Sequence, residues 1–559
     1  MHSPCSSRPS SLGSGKVSCI KQNRYRCNNS IASIGRQRPC DLENRSLGSR
    51  EAYGRRRTLF VLAQSTHEHV DASYEYSMWM DRIRSLKSLS VRSVALEQLL
   101  RVDEEGAYAG LVSGSPEVQG QQRVDVLDEE TSPSQKVGLR SLDQRERRQV
   151  TEIVSGVIRW QRRLHWILKN LPKPTKLESM DSPLRILLYM GTYELLELNM
   201  ASHAINDYVN IAKGVMHEGC GKVANGVLRS VVRAKEGSNV PCPPPPRKGM
   251  TKVQVAHALG IMYSHPTWMI CGWIEQYGPQ DTVALLKCNN KRPRFSLRIQ
   301  HPELLSGLEA TFRPSQFLPH EFIVVESGLQ NIIKSGMLAE GNAQVQDEAA
   351  GMVVAMLHPE EGDAVLDCCS APGGKTLFSA ARMNSKGSII ALDSVESRLG
   401  AVRNAAAKQG FDSIVQCIAS DARQFCENSA LSGDRFDKVL VDAPCSGTGV
   451  LSKRADLRWR RKEEDVRTLV TLQLDLLHAA SKVVRPGGYL VYSTCSIENV
   501  ENIKVANAFL QKHEDFELVH GSTVPGIPQE CLDEHGCLQM LPHRHGTDGA
   551  FAAKFRKKM

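Results

Sequence analysis

The sequence predicts a multi-domain chain: an all-α N-terminal part, a small α+β connecting module and a doubly wound α/β domain at the C-terminal end. Three observations carry this. Apolar residues recur at helical spacing in successive blocks between 88 and 238. The linker 239–250 then interrupts the pattern with VPCPPPPRKG, whose four consecutive prolines make a stiff extended connection. Over 341–559 short apolar runs alternate with helical ones, as in a parallel sheet covered on both faces.

Residues 1–57 hold 12 Lys/Arg against 3 Asp/Glu, which accounts for the whole formal charge of +9; the remainder balances at 58 basic and 58 acidic residues. Any affinity for nucleic acid must therefore come from local clusters and not from a bulk field. The first acidic residue is Asp41, and the Ser- and Arg-rich stretch before it has no apolar secretory core. Residues 1–65 thus match an organellar transit peptide, with the chloroplast expected and the mitochondrion as the alternative. A basic tail that touches nucleic acid is the other reading. No run of about eighteen uncharged apolar residues occurs, so no membrane partner is expected. The 16 cysteines are scattered and include no C-x-x-C pair, which points to a reducing compartment and to no bound metal.

Folded sequence opens with VRSVALEQLL at 91–100, and 102–136 reads as a long loop. Ser141 and Gln144 form a capping box before RERRQVTEIVSGVIRWQRRLHWIL, and Ser182 with Pro183 caps LRILLYMGTYELLEL. Further helices are expected at 203–213 and 221–234. Past the linker, the module 251–340 begins with a helical stretch to 278 and continues with strands FSLRI (295–299) and FIVVES (322–327). In the last domain AVLDCC, SIIALD, IVQCI, DKVLVD and YLVYST read as strands, and 374–384, 394–409, 465–484 and 498–512 as helices. Pro-Gly-Gly at 486–488 reads as a turn.

The loop DCCSAPGGKT, 367–376, follows the first of these strands. It is not a phosphate loop, because Cys369 stands where the first glycine is required, and it contains no G-x-G-x-x-G. Ligands of open parallel sheets bind at the carboxyl ends of the strands, and those ends carry Asp367, Asp393, Asp421 and Asp442. Asp393 suits a ribose diol, Asp421 an adenine amine, and the set favours a positively charged sulfonium. S-adenosylmethionine has all three features. Gly373 and Gly374 let the backbone approach such a cofactor, whose volume a side chain would fill. Lys375 reads as a local cap.

DAPCSGTG (442–449) and STCS (493–496) each place a cysteine just past a strand end. A thiolate there fits methylation at carbon-5 of cytosine, a carbon that becomes nucleophilic only after addition at carbon-6. Asp442 would protonate or hydrogen-bond N3 as charge builds on the ring. Cys368 and Cys369 continue a buried strand and read as packing.

These segments resemble the RNA 5-methylcytosine methyltransferases of the Sun/NOP/NSUN family, with their DxCAAPGGKT, DAPCSGxG and STCS motifs. Ser370 stands where Ala is usual, and Ala550 replaces a common aromatic residue in DGAFAAKF. The resemblance implies that Cys495 attacks and Cys445 assists release. It implies cofactor contacts from Cys369, Ser370, Ala371, Pro372, Gly373, Gly374, Lys375, Asp393, Asp421 and Asp442. It also implies a Rossmann-like catalytic domain and a NusB-like, RNA-binding helical domain, as in bacterial ribosomal RNA small subunit methyltransferase B. The expected partner is RNA, most simply small-subunit ribosomal RNA, met by a monomer. A transfer RNA substrate, or a non-catalytic ribosome-assembly role, are the alternatives. Phosphate contacts are expected from Lys453, Arg454, Arg458, Arg460 and Arg461 beside the catalytic loop. Arg145, Arg147, Arg148, Arg159, Arg162 and Arg163 are a second cluster, with Trp160 and Trp166 assigned to the core.

Overall fold

The computed structural model describes residues 74–86, 90–104 and 142–559. The transit-peptide reading, most of the loop expected at 102–136, and Ser141 lie outside them. The helical domain comprises 74–84 (α1), Val91–Glu104 (α2), Gln144–Lys169 (α3), Ser182–Leu196 (α4), Ile205–Val215 (α5) and Glu218–Glu236 (α6). The cap of α3 is Asp143, not Ser141: Asp143 accepts from the Glu146 amide at 2.8 Å and Glu146 accepts from the Asp143 amide at 2.9 Å. Starting there, Val150, Ile153, Val154 and Val157 all turn inward. Similarly, Asp181 stands at the N-cap of α4 and Pro183 fills its first turn, where a missing amide costs nothing.

Residues 240–247 contain no helix or strand, as a proline run requires. The connecting module starts with Lys252–Tyr263 (α7) and Thr267–Asn289 (α8), separated by left-handed Ser264 and by Pro266, and α8 kinks at Gly278 and Pro279. Strands β1 (Phe295–Ile299), β2 (Thr311–Pro314), β3 (Phe322–Ser327) and β4 (Ala343–Val345) form an antiparallel sheet in the order β2-β3-β1-β4. Because β4 pairs with β1, the module reaches past the boundary expected at 340.

The last domain is a sheet ordered β10-β12-β9-β8-β5-β6-β7, with β11 paired to β12. Its parallel strands are β5 (Ala364–Asp367), β6 (Ser388–Asp393), β7 (Val415–Ala419), β8 (Phe436–Asp442) and β9 (Val484–Thr494). The chain order reverses between β5 and β8, which opens a crevice at their carboxyl ends. Covering helices include Glu348–Leu357 (α9), Gly374–Arg382 (α10), Glu396–Lys408 (α11), Ala422–Ser432 (α12), Glu463–Ser481 (α13) and Ile503–Lys512 (α14). Strands β10 (Phe516–Val519), β11 (Leu538–Met540) and β12 (Ala550–Lys557) are antiparallel additions. Pro-Gly-Gly is no turn: 486–488 lie inside β9 as an irregularity, since Phe436 pairs with Val484 but Lys438 pairs with Tyr489. Among the described residues no helix is long and apolar enough to cross a membrane.

KRADLRW, expected to face RNA, instead fastens the parts together. Arg458 is fully buried and donates to the carbonyls of Arg159 (3.3 Å), Ser264 (3.1 Å), Asn289 (3.3 Å) and Leu451 (3.3 Å) and to Asn290 Oδ1 (2.9 Å). Trp459 donates to the Ile158 carbonyl at 2.7 Å, and Arg159 returns a bond to the Ser452 carbonyl at 3.0 Å. Lys453 lies between Asp347 (2.7 Å) and Asp548 (2.8 Å). Two of the expected phosphate contacts, Lys453 and Arg458, are thus interior ties. Arg461 donates to the Cys445 and Ser446 carbonyls, and Arg454 pairs with Asp456. Arg460 keeps an exposed side chain. In the other cluster Arg159 and Arg162 are drawn into the same seam, the latter reaching the His265 carbonyl and Thr267, while Arg145, Arg147 and Arg148 stay exposed. Trp160 and Trp166 are half-buried, and Arg163 lies over the Trp160 ring.

Replacing Arg458 by Met strands several buried carbonyls, so urea unfolding is expected to show a loss on the order of 3 kcal/mol. A variant of unchanged stability with weaker, less salt-sensitive RNA binding would return Arg458 to the phosphate contacts.

Candidate active site

Adjacent parallel strands deliver both cysteines to one place. Asp442 pairs in register with Ser493 at the ends of β8 and β9, and the Ala443 amide bonds to the Ser493 carbonyl at 2.9 Å. From this shared edge the two chains turn the same way, and Cys445 Sγ lies 3.3 Å from Cys495 Sγ. Both cysteines are half-buried, accessible from the crevice yet held by protein. Gly449 allows the closeness: its amide bonds to the Cys495 carbonyl at 3.0 Å, and a Cβ there would sit 2.6 Å from that oxygen and 2.8 Å from Gly549 Cα. This is why DGAF at the start of β12 belongs to the site.

Lys375, from the first turn of α10, reaches back to Asp442 at 2.7 Å and is therefore no local cap. Asp442 also accepts from Ser493 Oγ at 2.7 Å, so both of its oxygens face donors. Burial opposes the charge on Lys375, but Asp442 overrides it and holds the ammonium pKa above its ordinary value. The sulfurs divide in opposite directions. The hydrogen bond from Cys445 lowers the Cys495 pKa against burial, with Lys375 helping and Asp442 and Glu501 opposing. The same bond, then burial, pushes the Cys445 thiol well up. Of the two sulfurs, Cys495 is thus the one whose ionised form the surroundings favour and Cys445 the one held as a thiol.

Asp367 is buried and accepts from Thr376 Oγ1 at 2.7 Å; burial pushes its pKa up to about 6 against that bond. Asp393 accepts from the Val395 amide at 3.0 Å and faces Arg398 at 3.2 Å, which also holds the Ala371 carbonyl at 3.2 Å. Ser370 is tied to the Leu392 carbonyl through its amide (2.8 Å) and hydroxyl (2.9 Å), and the Ala371–Pro372 bond is cis. Asp421 caps α12 and is paired with Arg423 at 2.5 Å, which holds its carboxyl below the usual range. Cys369 lies among Asp367, Asp442 and Asp393, which after burial raise its thiol, while Cys368 packs against Cys426 as expected of a core cysteine. Gly373 has φ 101°, a conformation that favours glycine, and a Cβ there would meet Val402 at 3.1 Å, whereas a Cβ on Gly374 would make only ordinary contact with Gln346 at 3.5 Å. The loop's single cation is spent on Asp442, so no lysine is offered to a phosphate. Among the described residues no group of three or more His, Cys, Asp and Glu is placed to hold a metal.

Residues 354–556 match the family described as 16S rRNA methyltransferase RsmB/F, and 91–233 match the NusB family. The probable ribosomal RNA small subunit methyltransferase B of Bacillus subtilis is 32% identical, over 85% of this chain and all of that protein. The chain belongs to the ribosomal RNA small subunit methyltransferase B family. A Synechocystis protein with the same name is 34% identical over 74% of this chain and 91% of its own length. The crystal structure of PH0851 superposes with a TM-score of 0.62 at 27% identity, covering 76% of this chain and 94% of that one. The NusB-like, connecting and Rossmann-like domains are therefore those of this methyltransferase family.

Several site residues carry no motif signal. Glu501 is buried beneath both cysteine loops, and Trp273 of α8 donates to Glu498 at 2.8 Å. Burial pushes Glu498 up to about 7 against that bond. Arg398 and Asp347 were likewise hidden, and Ser493 and Asp548 lie inside quoted motifs without a role legible there, since ordinary polar residues gain meaning only from the fold's long-range contacts.

Alkylation by iodoacetamide at neutral pH is expected to mark Cys495 well before Cys445 when peptides are mapped by mass spectrometry. Lys375→Met removes the cation that favours the thiolate, so the pH midpoint for Cys495 labelling should rise. Equal labelling of both sulfurs, or an unmoved midpoint, would contradict the division of charge.

Proposed function

We propose that this chain methylates carbon-5 of a cytosine in small-subunit ribosomal RNA through a transient bond between Cys495 and carbon-6. The observation that carries this is the 3.3 Å approach of Cys445 and Cys495 beside the Lys375–Asp442 pair. The family and its relatives' names support a ribosomal RNA substrate. S-adenosylmethionine, when bound, supplies an electrophilic methyl group carried on a sulfonium. Asp367, Asp393 and the 369–375 loop would hold it, a set that suits a cationic sulfonium and a ribose diol and offers no unpaired cation for a phosphate.

The Cys495 thiolate adds to carbon-6, and electron density moves onto N3 and O2 of the ring. The Lys375 ammonium would offset that charge, and the proton it shares with Asp442 can be passed through the carboxyl to N3; the resulting enamine makes carbon-5 nucleophilic. As Cys495 commits its electron pair to carbon, it stops holding the Cys445 proton. Once carbon-5 has gained its methyl group, its proton passes to Cys445, which has by then released its own proton to solvent; the carbon–hydrogen electron pair rebuilds the carbon-5–carbon-6 double bond as the Cys495–carbon-6 bond breaks and returns its pair to sulfur. Two half-reactions thus need two sulfurs in one place. A factor without catalysis would have no use for such a pair. The acid-poor, Ser- and Arg-rich composition of 1–57 supports delivery to the chloroplast, testable by fusing 1–65 to a fluorescent protein.

Purified protein with labelled cofactor and organellar ribosomal RNA should form 5-methylcytosine. Cys495→Ala should abolish this, while Cys445→Ala should accumulate a covalent RNA adduct visible on denaturing gels. Undiminished methylation by Cys495→Ala would remove it as nucleophile.

A further inference from the structure

Beneath the two cysteine loops lies a carboxylate for which the reaction itself has no use. Each cysteine is followed by a buried serine, Ser446 or Ser496, and Glu501 takes hold of both. Glu501 is fully buried. Its Oε1 accepts from the Ser446 amide at 2.8 Å and from Gln473 Nε2 at 3.2 Å. Its Oε2 accepts from the Ser446 hydroxyl and from Ser496 Oγ at 2.6 Å. Gln473 extends the hold by donating to the Pro444 carbonyl at 2.9 Å, and Tyr492 of β9 donates to the Glu501 carbonyl. The two serine hydroxyls also meet each other at 3.1 Å.

Among the described residues no cation pairs with Glu501. A buried carboxylate without a counter-ion is costly, and this one also disfavours the thiolate it adjoins, alongside Asp442 and against Lys375. A charge at Glu501 thus works against ionisation of Cys495 and not for it. Geometry explains the residue instead. Four donors converge on it, and a carboxylate offers about four acceptor sites on two oxygens, whereas an amide offers one acceptor oxygen and adds donors of its own. Aspartate would be shorter by one methylene and could not span both loops from the same backbone position.

We propose that Glu501 is a positioning residue that clamps the Cys445 and Cys495 loops to each other, so that attack and release use sulfurs set in one rigid frame. This rests on the reading of the two cysteines given above. It differs from that reading in assigning the spacing of the sulfurs to a side chain that touches neither substrate nor cofactor. Misplacement of reacting groups by about 1 Å costs roughly 100-fold in rate, so the clamp matters to catalysis without contacting the base.

The test uses the full chain and reads sulfur proximity directly, without RNA or cofactor. In a glutathione buffer the thiolate of one cysteine attacks oxidised glutathione and releases one reduced glutathione. The second sulfur then displaces another, closing a Cys445–Cys495 disulfide with two protons and two electrons passed to glutathione. The rate of the closing step measures the effective concentration of one sulfur at the other. Glu501→Gln is expected to slow closure and kcat together by about 100-fold, with KM for RNA and the calorimetric affinity for S-adenosylmethionine unchanged. Closure at the wild-type rate would overturn the proposal, as would a change confined to KM or cofactor affinity. Should that variant not fold, the paired Ser446→Ala, Ser496→Ala variant serves: slowed closure supports the clamp and unchanged closure refutes it. If wild-type protein methylates no RNA, the substrate reading fails while the closure rates still decide the role of Glu501.

Discussion

The parallel pairing of β8 with β9, in the register that sets Asp442 opposite Ser493, is the constraint on which the site depends. Two chains that leave adjacent parallel strands at the same edge must turn into the same crevice, so a cysteine a few residues past each end meets its counterpart. A one-residue slip would exchange the faces of β9 and carry Ser493 away from Asp442, whose Oδ1 it now donates to at 2.7 Å. The register is guarded from both sides, because β9 is also paired to β12 across Tyr489–Thr494. The sheet thus fixes where the sulfurs emerge, and the loops decide how close they come.

Around that edge the polar groups divide into those that set charge and those that set distance. Lys375 and Asp442 set charge: the ammonium favours a thiolate on Cys495 while its own positive state is secured by Asp442. Glu501, Gln473 and the two serines set distance. Farther out, Arg458, Arg159, Trp459 and the Lys453–Asp347–Asp548 triad join the helical domain, the connecting helices and the catalytic loop. Buried ions of this kind add little net stability once desolvation is counted, but they leave few alternative arrangements. The loop that carries Cys445 is consequently built into the interdomain seam.

Much of this was legible in the sequence wherever a local rule determines structure. FSLRI, FIVVES and SIIALD occupy the strands expected of them, because short runs rich in aromatic and aliphatic residues and bounded by turn residues have few other uses. The cysteine loops and the Asp367–Thr376 turn were readable from their place after strands. Local rules failed where two residues compete for one role: Asp143 displaced Ser141 as a cap, and Pro-Gly-Gly became an irregularity inside β9 because the sheet holds the strand on both sides. The basic run 453–461 misled most. Charge alone cannot tell a phosphate contact from a buried tie, and only the long-range pairing of Arg458 with carbonyls near 159, 264 and 289 distinguishes them. Glu501 left no trace, since its four donors come from three separate segments.

The central claim is that the sulfur of Cys495, and no other, bonds to the pyrimidine. It is tested most directly with substrate RNA containing 5-fluorocytidine, whose carbon-5 holds no proton to lose, so the adduct cannot resolve. Digestion and mass spectrometry of the trapped complex should place the nucleotide on the peptide that carries Cys495. A nucleotide found on the Cys445 peptide would contradict the account, as would methylated RNA produced with no trapped adduct at all.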